Sequence, residues 1–551
     1  MCNAVSTKTY NDTMTIGLKL VNYLLIYPIQ SILPICATYT AWRLLYCRRV
    51  RSNRKLPSSS FLSWFMHRSM RQLLRLFIQI ELFTAIYYVI RKQMLQYKPL
   101  VPQRHQTTIE RRTLAARCLN SIEEMDFENT EEEEKQGITG ATTTDVVAQH
   151  TTPSERKAEL KRASISGWFF GAPLSSIRRG NLEQWVCWAF FLKRRRDIQP
   201  KSKEMIEVDY LVNEIIDWAD LTTSLKPGFN NNVKCIRLDF DPIPSTYRPF
   251  IYYLVTYGFV GIATEIIMRW YGFVKHTSGC LTYWYRPPDT NNNTNNNTNN
   301  NSEDKPIDKP IVFCHGLGIG VLSYVTLVNE LLSNSKQRSN SLFMVELPHI
   351  SMRPVEVQAS PRELVTCIED LLAAHCHQTA HFVGHSFGTL VLTWVAKHSP
   401  KIVSKFTFLD PVCFLLCKHD VAFNFLYKKP TNASEALMSY FVGQELFIAY
   451  TLSRRFQWQA NILWPEQIAH VPSTVCLSSL DHIVPSSAVK RHLMSWKQNS
   501  NAKNGNTEGR NENKQLNVIT FDGIGHAGFL LNSKSQTQVV NIIIHDRNTV
   551  C

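Results

Sequence analysis

Short, continuously apolar runs punctuate the second half of the chain and alternate with stretches of helical periodicity. Ile311-Val312-Phe313-Cys314, His381-Phe382-Val383, Phe406-Thr407-Phe408-Leu409, residues 473–480 and Leu516-Asn517-Val518-Ile519-Thr520-Phe521 read as strands, the first continuous enough to be covered on both faces. Thr389-Leu390-Val391-Leu392-Thr393-Trp394-Val395 reads as a helix. Between residues 413 and 471 the alternation breaks. That segment is helical in pattern and rich in Phe414, Phe425, Phe447, Phe456, Trp458 and Trp464, which predicts a helical insertion.

The first half is patterned differently. Residues 20–42 are 23 positions without a charge, long enough to cross a bilayer, with Pro28 and Pro34 allowing a bent or re-entrant helix. Residues 76–90 form a shorter apolar stretch that carries Glu81 and is flanked by Arg68, Arg71, Arg75, Arg91 and Lys92. It predicts an interfacial amphipathic helix, with a second span as the alternative. A third apolar run, 250–264, is expected to dock on the following domain or on a membrane surface. Residues 203–221 predict an amphipathic helix with Ile206, Tyr210, Ile215 and Trp218 near one face. The polar stretch 101–160, with Glu131-Glu132-Glu133-Glu134, reads as a disordered linker. The asparagine tract 290–302 and the polar insert 498–514 read as surface loop expansions. The expected organisation is a membrane-anchoring hydrophobic and basic region (1–100), a linker (101–160), a helical accessory subdomain (161–275) and a catalytic domain (276–551) with its insertion at 413–471.

At 551 residues the chain is too long for one compact core. Its net charge of +15 raises nucleic acid as a partner, but no zinc finger, basic zipper helix or RNA-binding signature accompanies it. Arg43, Arg48, Arg49, Arg51, Arg54 and Lys55 instead crowd the flank of the first apolar run, which favours a membrane partner. By the positive-inside rule a single span would place that flank, and the catalytic domain after it, in the cytosol, for example on the endoplasmic reticulum. The 14 cysteines show neither metal-ligand spacing nor a disulfide framework, and Cys413 and Cys417 read as small buried hydrophobes.

The chemistry centres on Gly384-His385-Ser386-Phe387-Gly388, placed between a strand and a helix. A G-x-S-x-G turn in that context is a nucleophile elbow. The serine sits on a turn so tight that a Cβ two residues before or after it would collide with neighbouring backbone. The helix that follows aims N–H groups at a developing oxyanion. Upstream, His315-Gly316-Leu317 ends a buried strand where a second oxyanion donor belongs, so the backbone N–H groups of Leu317 and Phe387 are the candidate pair. Downstream, Asp481 follows a strand at a position suited to orient an imidazole, and His526 lies on a glycine-flanked loop after the next strand. Asp410, at the end of the strand before the insertion, is the alternative acid. His315, His385 and His482 read as packing or hydrogen-bonding residues, and His349 as a loop histidine with a possible place in the pocket wall.

From about residue 281 onward this HG…GxSxG…D…H pattern resembles the α/β-hydrolase superfamily, and Tyr283-Trp284-Tyr285-Arg286-Pro287 with its following loop resembles large fungal membrane-associated members. The resemblance implies an α/β fold: an open, mostly parallel sheet with helices on both faces and a helical cap, here 413–471. It implies Ser386 as nucleophile, His526 as general base and acid, and Asp481 as orienting acid. His315, Gly316, Gly384 and Gly388 support the motif. The expected activity is hydrolysis of carboxylic esters, lipid or other apolar acyl esters, at a membrane. It requires no metal and no organic cofactor. Acyl transfer by the same triad, or a catalytically inactive scaffold, are the alternatives.

Overall fold

The computed structural model describes residues 16–52, 68–100, 106–123, 153–222, 224–289, 310–334, 340–503 and 515–544. Its centre is an eight-stranded sheet in the order β1-β2-β4-β3-β5-β6-β7-β8. The strands are β1 (Val274–Ser278), β2 (Leu281–Arg286), β3 (Ile311–Cys314), β4 (Leu342–Glu346), β5 (Ala380–His385), β6 (Val403–Leu409), β7 (Ser473–Ser478) and β8 (Leu516–Phe521). Only β1 and β2 run antiparallel to their neighbours; every pairing from β4 to β8 is parallel. This is the open, mostly parallel sheet the resemblance implies. Every residue of β3, β4, β5 and β7 is buried, which is why their sequences are continuous and not alternating.

Helices cover both faces of the sheet. Leu364, Ile368 and Leu371 of one helix (Pro361–Ala374) and Leu390, Val391 and Trp394 of another (Gly388–His398) join one core with Phe382, Phe406 and Phe408. Leu327, Val328 and Leu331, together with Val539, Val540 and Ile543, pack with Phe313, Met344 and Val383 in a second core. Between β6 and β7 lies the cap, built of short α- and π-helical turns with buried Phe414, Leu446, Phe447 and Tyr450.

The segment expected as a linker contains ordered structure. Thr108–Glu123 is a helix (α3), and Pro153–Trp168 another (α4). Charge hides this in the sequence: Arg111 pairs with Glu207, and Lys157 and Lys161 pair with Glu123, so polar side chains join the helices to their neighbours. The glutamate run lies outside the described residues. With α5 (Arg179–Phe191) and α6 (Lys203–Trp218), these helices share a core of Trp168, Leu182, Trp188, Val208, Leu211 and Val212. The buried stripe of α6 is Met205, Val208, Leu211, Val212, Ile215 and Ile216, whereas Ile206 and Tyr210, expected on that face, are exposed. Apolar residues occur on both faces, and packing selected the one meeting α5. The asparagine tract also lies outside the described residues. The first six residues of the polar insert complete a helix (Ser486–Lys503) instead of starting a loop.

Among the described residues three helices, not one, are long and apolar enough to cross a membrane: Ile16–Arg43, Gln72–Gln96 and Phe250–Trp270. Tyr27–Ser52 forms most of α1; α2 is Arg68–Gln96. The start of α1 meets the cap, where Ile26 packs on Ala436 and Tyr440. The end of α2 returns to the same body: Leu95 packs on Leu446 and Tyr450, and both Arg91 and Lys98 pair with Glu356. The helix Phe250–Trp270 (α7) docks one face, with Tyr252 donating to Phe441 and Thr256 to Met352. Val255, Phe259, Ile262, Ile266 and Trp270 stay exposed.

The stretch around Glu81 is therefore not a short surface helix but the middle of a 29-residue one. Glu81 is fully buried: its carboxylate accepts the Tyr247 hydroxyl at 2.7 Å and the Phe250 N–H, at the start of α7, at 2.9 Å. A carboxylate at a helix N-terminus meets both an orphan donor and the positive end of the dipole. Glu81→Leu would strand both donors at a cost of about 2 kcal/mol. The expected result is a lower Tm of the detergent-solubilised protein and faster proteolysis between α2 and α7; an unchanged Tm would count against this role for the carboxylate.

Candidate active site

Ser386 stands at the turn from β5 into the helix Gly388–His398, with φ 51°, in the left-handed region that non-glycine residues avoid. Its N–H is held by the Leu409 carbonyl at 2.9 Å. The turn needs its glycines for space. A Cβ on Gly388 would lie 2.0 Å from the Cys314 carbonyl oxygen, and one on Gly384 2.8 Å from Leu392 and 2.9 Å from the Gly388 carbonyl oxygen.

β7 and β8 bring two more groups to this point. His526 Nε2 lies 2.9 Å from Ser386 Oγ, and its Nδ1 lies 2.6 Å from Asp481 Oδ2. The arrangement calls for the tautomer in which Nδ1–H donates to the carboxylate and Nε2 accepts from the serine hydroxyl. The other Asp481 oxygen accepts the N–H groups of Ile483 and Val484 at 2.8 and 2.9 Å, so the carboxylate cannot rotate away. Burial draws the His526 imidazole down, but Asp481 and then Asp410 more than offset it and hold the ring above its ordinary value. The imidazole and the Asp481 carboxylate are both shielded from solvent.

Asp410, the alternative acid, does not bond to the imidazole. It is buried at φ 43°, and its oxygens accept the Ser478 N–H at 2.9 Å and the Ala527 N–H at 2.8 Å. It thus clamps the end of β7 to the loop that carries His526. Burial and the neighbouring Asp481 charge push its carboxyl upward. Asp410, Asp481 and His526 present ligand atoms within 4.8 Å of one another. Both imidazole nitrogens are engaged, by Asp481 and Ser386.

The Leu317 loop is set by three side chains. His315 Nε2 accepts the Leu347 N–H at 3.0 Å, so its Nδ1–H donates to the Gly316 carbonyl at 2.8 Å; burial holds this ring neutral, down to about 4. The Tyr324 hydroxyl accepts the Gly316 N–H at 2.8 Å and donates to His385 Nδ1 at 2.6 Å, tying the loop to the elbow. His349 is a buried packing residue whose ring meets Phe387 edge-on at 5.9 Å.

A strained serine between a central parallel strand and its helix, with an acid after β7 and a histidine after β8, decides the architecture. This is the α/β-hydrolase fold. No family model matches the chain, and no curated protein does. Solved structures similar to it include a membrane phospholipase A described as a bacterial virulence factor, at 13% identity and TM-score 0.36 over 54% of this chain and 94% of that one. A serine hydrolase from Cycloclasticus zankles matches at 13% identity and TM-score 0.34, over 50% of this chain and 99% of its own. The monoacylglycerol lipase of Paleococcus ferrophilus matches at 14% and 0.29, over 43% and 93%. The strand order and turn geometry of the chain itself carry the assignment to the hydrolase fold.

Above Ser386 opens a cleft, also lined by Leu317, Phe387, Leu416, Phe425, Phe456 and Trp458. The cap supplies much of this lining, as expected. Trp168, Trp188 and Leu238 of the accessory helices and their following loop line it too, and sequence reasoning missed them. The aromatic density around Trp185 and Trp188 was visible, but nothing local says that it faces a turn roughly two hundred residues away. Arg454 of the cap locks the two parts together by donating to the Leu238 and Asp241 carbonyls, each at 2.7 Å.

A nucleophilic Ser386 would need neutral His526, so labelling by a fluorophosphonate should fall as pH drops through the raised imidazole pKa, with a midpoint above about 6.5. Asp410→Asn removes a charge that raises His526, and should move that midpoint to lower pH while labelling persists. Asp481→Asn should slow labelling by about ten-thousandfold. Loss of labelling in folded Asp410→Asn with retention in Asp481→Asn would reverse the two roles.

Proposed function

We propose that the chain is a membrane-associated serine hydrolase that cleaves carboxylic esters of apolar acyl groups, lipid esters foremost. The observation that carries this is the unbroken hydrogen-bond chain from Asp481 through His526 to Ser386, opening into a cleft walled by apolar side chains. As Ser386 Oγ adds to the ester carbonyl carbon, His526 Nε2 takes its proton and the carbonyl π electrons move to oxygen. The N–H groups of Leu317 and Phe387 hold that oxyanion. The carbonyl re-forms, the alcohol leaves with the proton from His526, and an acyl-serine remains. Water then repeats the addition with His526 as base, releasing the carboxylic acid and the free serine. Asp481 stabilises the imidazolium at both stages.

The helices support a membrane setting and suggest its geometry. The beginning of α1 and the end of α2 both rest on the catalytic body, as a hairpin crossing twice requires. The parts before and after α7 also touch each other, since Arg454 bonds the Leu238 and Asp241 carbonyls. A single crossing by α7 would separate them, so α7 lies against the membrane without traversing it. The basic stretch from Arg43 to Arg75 joins α1 to α2. With that stretch cytosolic, a hairpin carries the catalytic domain to the lumenal side, opposite to the side expected for a single span. Protease protection on sealed microsomes checks this: the catalytic domain should resist protease until detergent is added.

Ser386→Ala should abolish fluorophosphonate labelling and lower ester turnover by about ten-thousandfold or more. Unchanged labelling in that variant would sink the hydrolase reading. Product analysis with an added long-chain alcohol separates hydrolysis from acyl transfer: free acid is expected as the main product.

A further inference from the structure

A second chamber lies among the accessory helices and is lined by Ala115, Leu119, Ile122, Ile165, Trp185 and Trp218. Trp168 borders both this chamber and the cleft that holds Ser386. Its indole is 6% exposed and its Nε1–H donates to the Cys417 carbonyl at 3.2 Å. Its ring lies 5.5 Å from Trp185, which lines the chamber, and 5.7 Å from Trp188, which lines the cleft. The indole and the cap segment Leu416-Cys417-Lys418 thus form a partition one side chain thick. Leu416 and Lys418 line the cleft, and Cys417 lines the chamber.

We propose that the cleft and the chamber are two parts of one channel for an acyl chain, and that Trp168 is the specificity-determining residue that closes it and limits the chain length accepted. This rests on the ester-hydrolase reading and names the substrate feature that the same site selects. The walls of both spaces are mainly apolar, so a chain that passes the partition exchanges water for hydrocarbon contact along its length. Each further methylene that finds room favours the longer ester by about fourfold. With the indole in place, carbons beyond the cleft have nowhere to go, and longer chains gain nothing or fold back at the mouth.

The test uses the full-length protein in detergent micelles and p-nitrophenyl esters from butyrate to palmitate, with fluorophosphonate labelling to count competent sites. Trp168→Ala should raise the ratio of kcat/KM on palmitate to that on octanoate by roughly 15- to 60-fold relative to wild type, since two or three methylenes gain room at about fourfold each. Adding Leu119→Trp to that variant refills the chamber and should bring the ratio back. Trp168→Phe keeps an aromatic ring in the partition and should move the ratio the same way by less. It provides the test if the alanine variant does not fold. A ratio unchanged in whichever of the two variants labels normally would overturn the gate. Wild-type protein that turns over no ester of the series would instead sink the hydrolase reading, so the two failures are distinguishable.

Discussion

The helix after Ser386 leaves the sheet so close to β3 that one methyl group at residue 388 would sit 2.0 Å from the Cys314 carbonyl oxygen. This close approach is the constraint on which the site depends. It forces the chain to reverse within the elbow, leaves Ser386 at φ 51°, and lifts its hydroxyl clear of the sheet. A backbone residue held in that region costs of order 1–3 kcal/mol, which the buried packing of β5 and its helix offsets. Every residue of β5 is buried, as is every one from Gly388 to Ala396.

Around that turn the buried polar groups are cross-linked. Asp410 joins β6, β7 and the His526 loop through two N–H groups, and Tyr324 joins the Gly316 loop to His385. In a low-dielectric interior each such bond is strong only while its partner is present, and losing one partner strands the other. The network therefore acts as a jig. It holds His526 and the Leu317 loop to the serine, and it resists both alternative rotamers and protonation of His385, which burial keeps well below its ordinary value.

The regions outside the sheet work on access. Cap, accessory helices and α7 converge over the C-terminal ends of the strands, where an open α/β sheet offers its crevice. The cap could not enclose the cleft by itself, because Trp168, Trp188 and Leu238 complete the wall. α1, α2 and α7 meet the cap or the loop after β4, so apolar surface that seeks a bilayer is attached directly to the part of the molecule that covers the serine. On the proposed reading, a lipid ester leaving the bilayer would have little water to cross.

Much of the sheet and the positions of Ser386, Asp481 and His526 at strand ends were legible in the sequence. Buried parallel strands are continuously apolar, and the elbow demands glycines at fixed offsets; both are local requirements, written in neighbouring residues. The acid was narrower. Asp481 and Asp410 both end apolar strands, and only the three-dimensional register shows the His526 Nδ1 on Asp481, with Asp410 occupied by two backbone donors. The polar helices α3 and α4, the buried face of α6, the length of α2 and the role of Glu81 were not legible, because each depends on a partner distant in sequence. A charge such as Glu81 looks like an interruption until the Phe250 N–H that it caps is in place. What the sequence determined by itself was the elbow and the candidate reactive groups at strand ends, since tight turns and strand ends are spelled by adjacent residues. What only the tertiary structure decided was which acid serves the imidazole and what walls the cleft. Those choices are made by contacts between segments that the chain order keeps apart.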